Sequence, residues 1–213
     1  QICQMVDTYL EQGFTYFDTA YMYHSGKSEN MLKKALVERY PRGSYLVADK
    51  LPTMFLKEPE DVTRIFQEQL DRTGLSYFDY YLLHCLDKEN YQTAERLDCF
   101  AFGMQMKKEG KIKHLGFSFH DSAELLDQIL TAHPEVEFVQ LQINYYDWES
   151  DNVQSEKCYE TARKHGKDII IMEPIKGGRL ADIPENAAAL LQKQNPQLSI
   201  PSWAVRFTAS LPG

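Results

Sequence analysis

Cysteine is scarce and scattered in this chain. Cys3, Cys85, Cys99 and Cys158 lie far apart with no C-x-x-C pair, so neither a zinc site nor a dithiol redox motif is signalled, and none has iron–sulfur spacing. Long apolar runs are missing too: none approaches the roughly 20 residues a membrane helix needs, and no charged-then-apolar signal segment opens the chain. A cytoplasmic protein is the expectation. Positive charge is in deficit, with 23 Lys and Arg against 31 Asp and Glu for a net charge of −8, which argues against a nucleic-acid surface. The short group Lys107, Lys108, Lys111 and Lys113 is interrupted and reads as a solvated helix face. The glycine-rich turn G-x-G-x-x-G is absent, so a doubly wound dinucleotide-binding domain has no direct support.

What remains is the composition of a globular protein, 43% hydrophobic and 25% charged over 213 residues. Short β-branched and aromatic runs alternate with helical patterns, the signature of βα units and a parallel sheet. The expected strands are 14–18, 44–50, 78–84, 113–119, 137–144 and 168–173. Between them, Ser28 reads as the N-cap of a helix with Glu29 in its first turn. Pro59, Glu60 and Asp61 start a helix whose Val62, Ile65, Phe66 and Leu70 form one apolar stripe and which Gly74 stops. Asp121 or Ser122 caps another before His133-Pro134 breaks it, and Gly110 and Gly166 end two more.

Polar residues fall at or near the carboxyl ends of these strands: Asp18, Lys50, His84, Ser118, Gln140 or Asn144, and Glu173. In a (β/α)8 barrel every strand's carboxyl end opens onto one mouth, so residues some 30 positions apart converge. Isolated charges at strand ends make most sense where they pair with one another. The expectation is therefore a single α/β domain, 1–213, forming a (β/α)8 TIM barrel that is incomplete. A barrel takes roughly 250 residues, Gln1 opens directly into a helix-period pattern and "PSWAVRFTASLPG" closes the chain. A first and a last strand are expected to lie outside it, leaving the second and seventh as unpaired edges.

Asp18, Tyr23, Lys50 and His84 carry the chemistry. A tyrosine hydroxyl is a poor acid at neutral pH, a neighbouring ammonium makes it a better one, and a carboxylate holds the ammonium charged and in place. A histidine orients a carbonyl oxygen or relays a proton. Singly, these are a loop cap, a surface aromatic, a solvated lysine and a core histidine; together, at three consecutive strand ends, they suit protonation of a carbonyl oxygen while hydride arrives at carbon. Two other readings stand beside it: a Schiff-base lysine at position 50, and a non-catalytic barrel kept as a cofactor-binding or regulatory subunit.

"FDTAYMYHSGKSE", the lysine of "VADK", the histidine of "YYLLH", "GFSFH" and "VQLQIN", in that order, resemble the aldo-keto reductases over essentially the whole chain. The resemblance implies a (β/α)8 barrel, NADPH or NADH bound without a Rossmann fold, and hydride transfer between nicotinamide and a small-molecule carbonyl or alcohol. It makes Tyr23 the general acid, Lys50 and Asp18 the pair that tunes it, and His84 the residue that orients the carbonyl. Ser118 and Gln140 match the positions that hold the nicotinamide carboxamide.

Two departures stand out. Where many members place Asn after the serine of "GxSN", this chain has Phe119 and then His120, so one carboxamide contact is missing or is supplied by Asn144 or His120. Where many present a stacking aromatic ring at the seventh strand end, this chain has Glu173 and Pro174. "GFSFHD" and "EPIKGGRLA" are similar to a bacterial branch whose members often carry a C-terminal ferredoxin-like iron–sulfur segment, which would lie beyond Gly213. The family's grip on the adenosine end of the cofactor falls in the same region.

Overall fold

The computed structural model describes residues 1–212, and they form two compact units, one from Gln1 to Ser118 and one from Phe119 onward. The first holds α1 (Ile2–Glu11), β1 (Tyr16–Asp18), the short turn α2 (Tyr23–Gly26), α3 (Ser28–Leu32), β2 (Leu46–Leu51), α4 (Pro59–Thr73), β3 (Phe78–Leu86), α5 (Lys88–Arg96), α6 (Cys99–Lys108) and β4 (Ile112–Phe119), at whose end it closes. The second holds α7 (Ala123–Ala132), β5 (Phe138–Gln142), α8 (Ser155–Lys164), β6 (Asp168–Met172), α9 (Glu185–Gln194) and α10 (Ile200–Ala209).

In the first unit the strands are neighbours in chain order, β1 to β4. β1 runs parallel to β2 with Asp18 beside Ala48, and β2 runs parallel to β3 with Lys50 beside Leu82. In the second unit β5 and β6 are parallel, with Gln140 beside Ile170. Parallel neighbours require a crossover between them, supplied here by helical segments.

All six expected strands are present, with shifted ends. β1 starts at Tyr16 because the Phe14 N–H is still bonded to the Tyr9 carbonyl, completing the exit from α1. β3 runs two residues past His84, and β5 stops at Gln142, leaving Asn144 in the loop beyond. β2 is buried from Val47 to Leu51, as a strand covered on both faces must be. That leaves Asp49 and Lys50 buried side by side.

The start of α4 is as the sequence suggests: Pro59 leads, Glu58 and Asp61 form a reciprocal capping pair, and Gly74 ends the helix at φ 70°, a left-handed position a side chain disfavours. Its Val62, Ile65, Phe66 and Leu70 are buried. Ser122 caps α7 by accepting from the Leu125 N–H. Ser28 does not cap α3; its hydroxyl oxygen accepts from the Thr19 hydroxyl at 2.8 Å. Among the described residues no helix is long and apolar enough to cross a membrane.

Helix α6 packs on β4 through Gly103, where a Cβ would sit 2.6 Å from Leu115 Cδ1 and 2.9 Å from Cδ2. Leu115 is fully buried and has little room to move. Gly103→Ala gains about 1 kcal/mol of helix propensity and loses about 1–3 kcal/mol to overpacking. We expect net destabilisation on the order of 1 kcal/mol, read as a lower midpoint in thermal or denaturant unfolding; a raised midpoint would contradict this packing.

Candidate active site

Successive side chains of a strand point to opposite faces, so β2 sends Lys50 one way and Asp49 the other. Lys50 is fully buried, and its Nζ donates to Asp18 at the end of β1 and to the Thr19 carbonyl at 2.9 Å. The Asp18 side chain keeps 29% exposure, so the pair lies at the margin of the buried region. Both partners of the ammonium come from one short stretch of backbone where β1 ends. The Thr19 N–H is in turn bonded to the Ala48 carbonyl, which continues the β1–β2 register to the lysine.

The chain then turns through Tyr21 and Met22 and brings Tyr23 back over the lysine. Lys50 Nζ lies 4.9 Å from the centre of the Tyr23 ring, and the His84 ring meets that ring edge-on at 5.7 Å between centres. Tyr23 is 37% exposed while His84 is 7% exposed. Asp18 and Tyr23, close in sequence, thus meet the distant Lys50 and His84 in one cluster with the phenol on its open side.

Several contacts hold the loop that carries Tyr23. The Tyr23 N–H bonds to the Ala20 carbonyl. The Tyr21 hydroxyl donates to Glu68 at 2.9 Å and accepts from Arg72 at 3.2 Å, and the Arg72 guanidinium also lies 4.2 Å from the Tyr21 ring centre. His24 and Ser25, at φ 52° and 57°, take the left-handed conformation that reverses the chain.

On the other face of β2 the sequence reading missed a second polar cluster. Glu29, read as a first-turn residue facing the helix dipole, is fully buried and ion-paired with Arg72 at 3.2 Å. It interacts directly with Asp49, also fully buried. Asp49 Oδ1 accepts from the Lys50 N–H at 2.8 Å and from Gln69 Nε2 at 2.9 Å, while Gln69 Oε1 accepts from the Tyr81 hydroxyl at 2.6 Å. Burial pushes the Glu29 carboxyl up, and burial followed by the nearby Glu29 pushes Asp49 well above the ordinary carboxylate range. Arg72 opposes the rise on Glu29, so of the two carboxyls Asp49 is pushed up further. A single acidic residue in a β-branched run next to a lysine was the available signal, but the pairing is long-range.

The remaining expected site residues occupy distinct settings. In the first unit Ser118 is buried and its Oγ accepts from the Cys85 N–H at 2.7 Å. In the second, Gln140 is buried in β5, His120 is exposed after β4, and Glu173 is exposed just past β6 at φ 54°. Asn144 uses its whole amide inside its own unit: Nδ2 donates to Asp147 and to the Glu173 carbonyl, and Oδ1 accepts from the Tyr146 and Asp147 N–H groups. Asp147 is also paired with Lys176. Burial opposes ionisation of Asp147, but Lys176, Asn144 and Gln142 outweigh it and hold the carboxyl below its usual range.

The profile of the aldo/keto reductase family matches residues 1–209. The chain belongs to the aldo/keto reductase family. An aldo-keto reductase of Strobilurus tenacellus is 29% identical over 182 residues, covering 83% of this chain and 51% of that protein. The NADH-specific methylglyoxal reductase of Escherichia coli is 24% identical over 200 residues, 84% of this chain and 58% of the other. The chain thus spans between half and three-fifths of these relatives' lengths. Among solved structures, an aldo/keto reductase from Klebsiella pneumoniae in complex with NADP and acetate superposes with a TM-score of 0.74 at 21% identity, over 99% of this chain and 71% of that one. One from Brucella melitensis gives 0.71 at 19% identity, over 96% and 73%. At such identities the likeness establishes the fold: the parallel α/β architecture of the aldo-keto reductase barrel, of which the described residues hold six strands.

The carboxyl pair behind the lysine makes stability depend on pH. Both folded-state values lie above the unfolded ones, so the contribution of the pair is complete below about pH 4 and is lost as pH rises through the raised values. Asp49→Asn keeps an oxygen for the Lys50 N–H and removes the titrating group. The variant should match the parent near pH 4 and be more stable by on the order of 1 kcal/mol at pH 8. Denaturant midpoints across that range test this; parallel profiles would contradict it.

Proposed function

We propose that the protein reduces a small-molecule carbonyl, or oxidises the matching alcohol, by hydride exchange with NADPH or NADH, and that Tyr23 is its general acid. The observation that carries this reading is the convergence of the Lys50 ammonium and the His84 ring on the ring of Tyr23. In the direction of reduction the Tyr23 hydroxyl gives its proton to the carbonyl oxygen. The adjacent ammonium stabilises the phenolate that remains, and Asp18 with the Thr19 carbonyl fixes that ammonium in place. His84, largely buried beside the phenol, orients the carbonyl oxygen toward it.

The residues suit a nicotinamide cofactor by the chemistry of their donors. Ser118 accepts from Cys85 and retains a hydroxyl hydrogen, and Gln140 is a buried primary amide; each is a group of the kind that holds a carboxamide. His120, Asn144 and Glu173 are the other proposed cofactor-binding positions, with Asn144 acting through the loop it ties together. The cofactor, when bound, supplies the hydride. The relatives support both forms, since the Klebsiella pneumoniae structure holds NADP and the Escherichia coli enzyme is NADH-specific. The setting we propose is cytoplasmic, with residues 1–213 forming part of a single barrel domain and any iron–sulfur segment lying beyond Gly213.

Tyr23→Phe keeps the ring that packs on Lys50 and His84 and removes the proton. NADPH and NADH oxidation with a panel of aldehydes and ketones should fall by about 10²–10⁴-fold in this variant, while cofactor binding measured by fluorescence is retained. Turnover equal to that of the parent would remove Tyr23 as the acid. Tight cofactor binding by the parent without turnover of any carbonyl would favour a cofactor-binding subunit instead.

A further inference from the structure

The exit of β3 is gripped by side chains from outside the four-residue cluster. His84 is followed by Cys85, which has φ 58° although it is not glycine. Such a conformation is uncommon for a side-chain-bearing residue and persists where its surroundings over-determine it. The surroundings here do so. The Thr53 hydroxyl, in the turn that follows β2, donates to the His84 carbonyl at 2.6 Å. The Ser118 hydroxyl oxygen, on β4, accepts from the Cys85 N–H at 2.7 Å.

Those two groups are the two ends of one peptide plane, the plane between His84 and Cys85. The C=O and N–H of a trans peptide point in opposite directions, so Thr53 and Ser118 hold the plane from both sides and set its tilt. The next carbonyl, that of Cys85, accepts from Asn90 Nδ2 at 2.8 Å. Asn90 is itself fixed in the first turn of α5, where its N–H bonds to the capping carboxylate of Asp87 at 2.8 Å. Thr53 is buried, which shields its bond from competing water.

We propose that Thr53 and Asn90 are positioning residues for His84: they lock the peptide planes on its carboxyl side, and the lock aims the imidazole at the carbonyl oxygen beside Tyr23. Thr53 stands three residues after Lys50 in the chain, so the segment that delivers the ammonium also fixes the histidine. This rests on the proposed role of His84, and the experiment separates the two.

The test uses the intact protein, with NADPH oxidation by 4-nitrobenzaldehyde and long-range 1H–15N NMR of the histidine rings, the His84 signals being assigned with His84→Gln. Thr53→Val is nearly isosteric and removes the donor. It should move or broaden the His84 ring signals and lower kcat by about 10- to 100-fold, the size expected for a misplaced orienting group, with the Kd for NADPH unchanged. Thr53→Ser restores the hydroxyl and should return both readouts to within a few-fold of the parent. Asn90→Ala, at a half-buried helix position, should shift them in the same direction by less, and provides the measurement if Thr53→Val fails to fold. Native His84 signals and native kcat in Thr53→Val, or in Asn90→Ala where that variant supplies the measurement, would overturn the proposal. If His84→Gln turns over like the parent while Thr53→Val still moves the ring signals, the lock is upheld and the role of His84 in turnover is what fails.

Discussion

The site depends on one costly placement: the ammonium of Lys50 removed from water on a strand buried on both faces. An isolated buried charge would be neutralised or driven out, and what keeps this one is the combination of the Asp18 carboxylate and the Thr19 carbonyl. Both come from the end of the neighbouring strand, so the parallel register of β1 on β2 is itself a condition of this placement. Because the carboxylate is partly exposed and the ammonium is not, the pair marks the margin of the buried region, and Tyr23 stands exposed beside it.

The same strand ties the neighbourhood together from its other face. Alternation sends Asp49 to the opposite face, where it accepts from the N–H of Lys50 and joins Glu29, Gln69, Tyr81 and Arg72. Arg72 reaches from there to Tyr21, in the loop that presents Tyr23. The two faces of β2 are therefore tied to the same turn, one through the lysine and one through the arginine. A largely buried polar network of this kind favours one geometry, because each polar group in it needs its partner.

Much of this was legible in the sequence, for identifiable reasons. Strands were visible because buried parallel strands read as β-branched and aromatic runs, and α4 because proline, its acidic first turn and Gly74 mark both ends. The four-residue cluster was visible because four groups of matched chemistry fall at or next to three consecutive strand ends and because the order and spacing of the motifs are shared with a known family. Glu29 stands in the first helical turn as read, but its burial was not legible, since a carboxylate there looks the same whether it faces solvent or a half-buried arginine 43 residues away. Thr53 and Asn90 left no signal because their partners are backbone groups, which every sequence contains. Ser28 looked like a cap and is instead the acceptor for Thr19, a pairing set by the turn between them.

The central claim is that the ammonium beneath the phenol, and not merely the fold around it, makes Tyr23 an effective proton donor. Steady-state kinetics of Lys50→Met in the intact protein test it most directly, because methionine fills similar volume on β2 without the charge. The account predicts a fall in kcat of at least about 100-fold, in the range set by losing a tuned acid, with cofactor affinity preserved. A variant that turns over at the parent rate would contradict it.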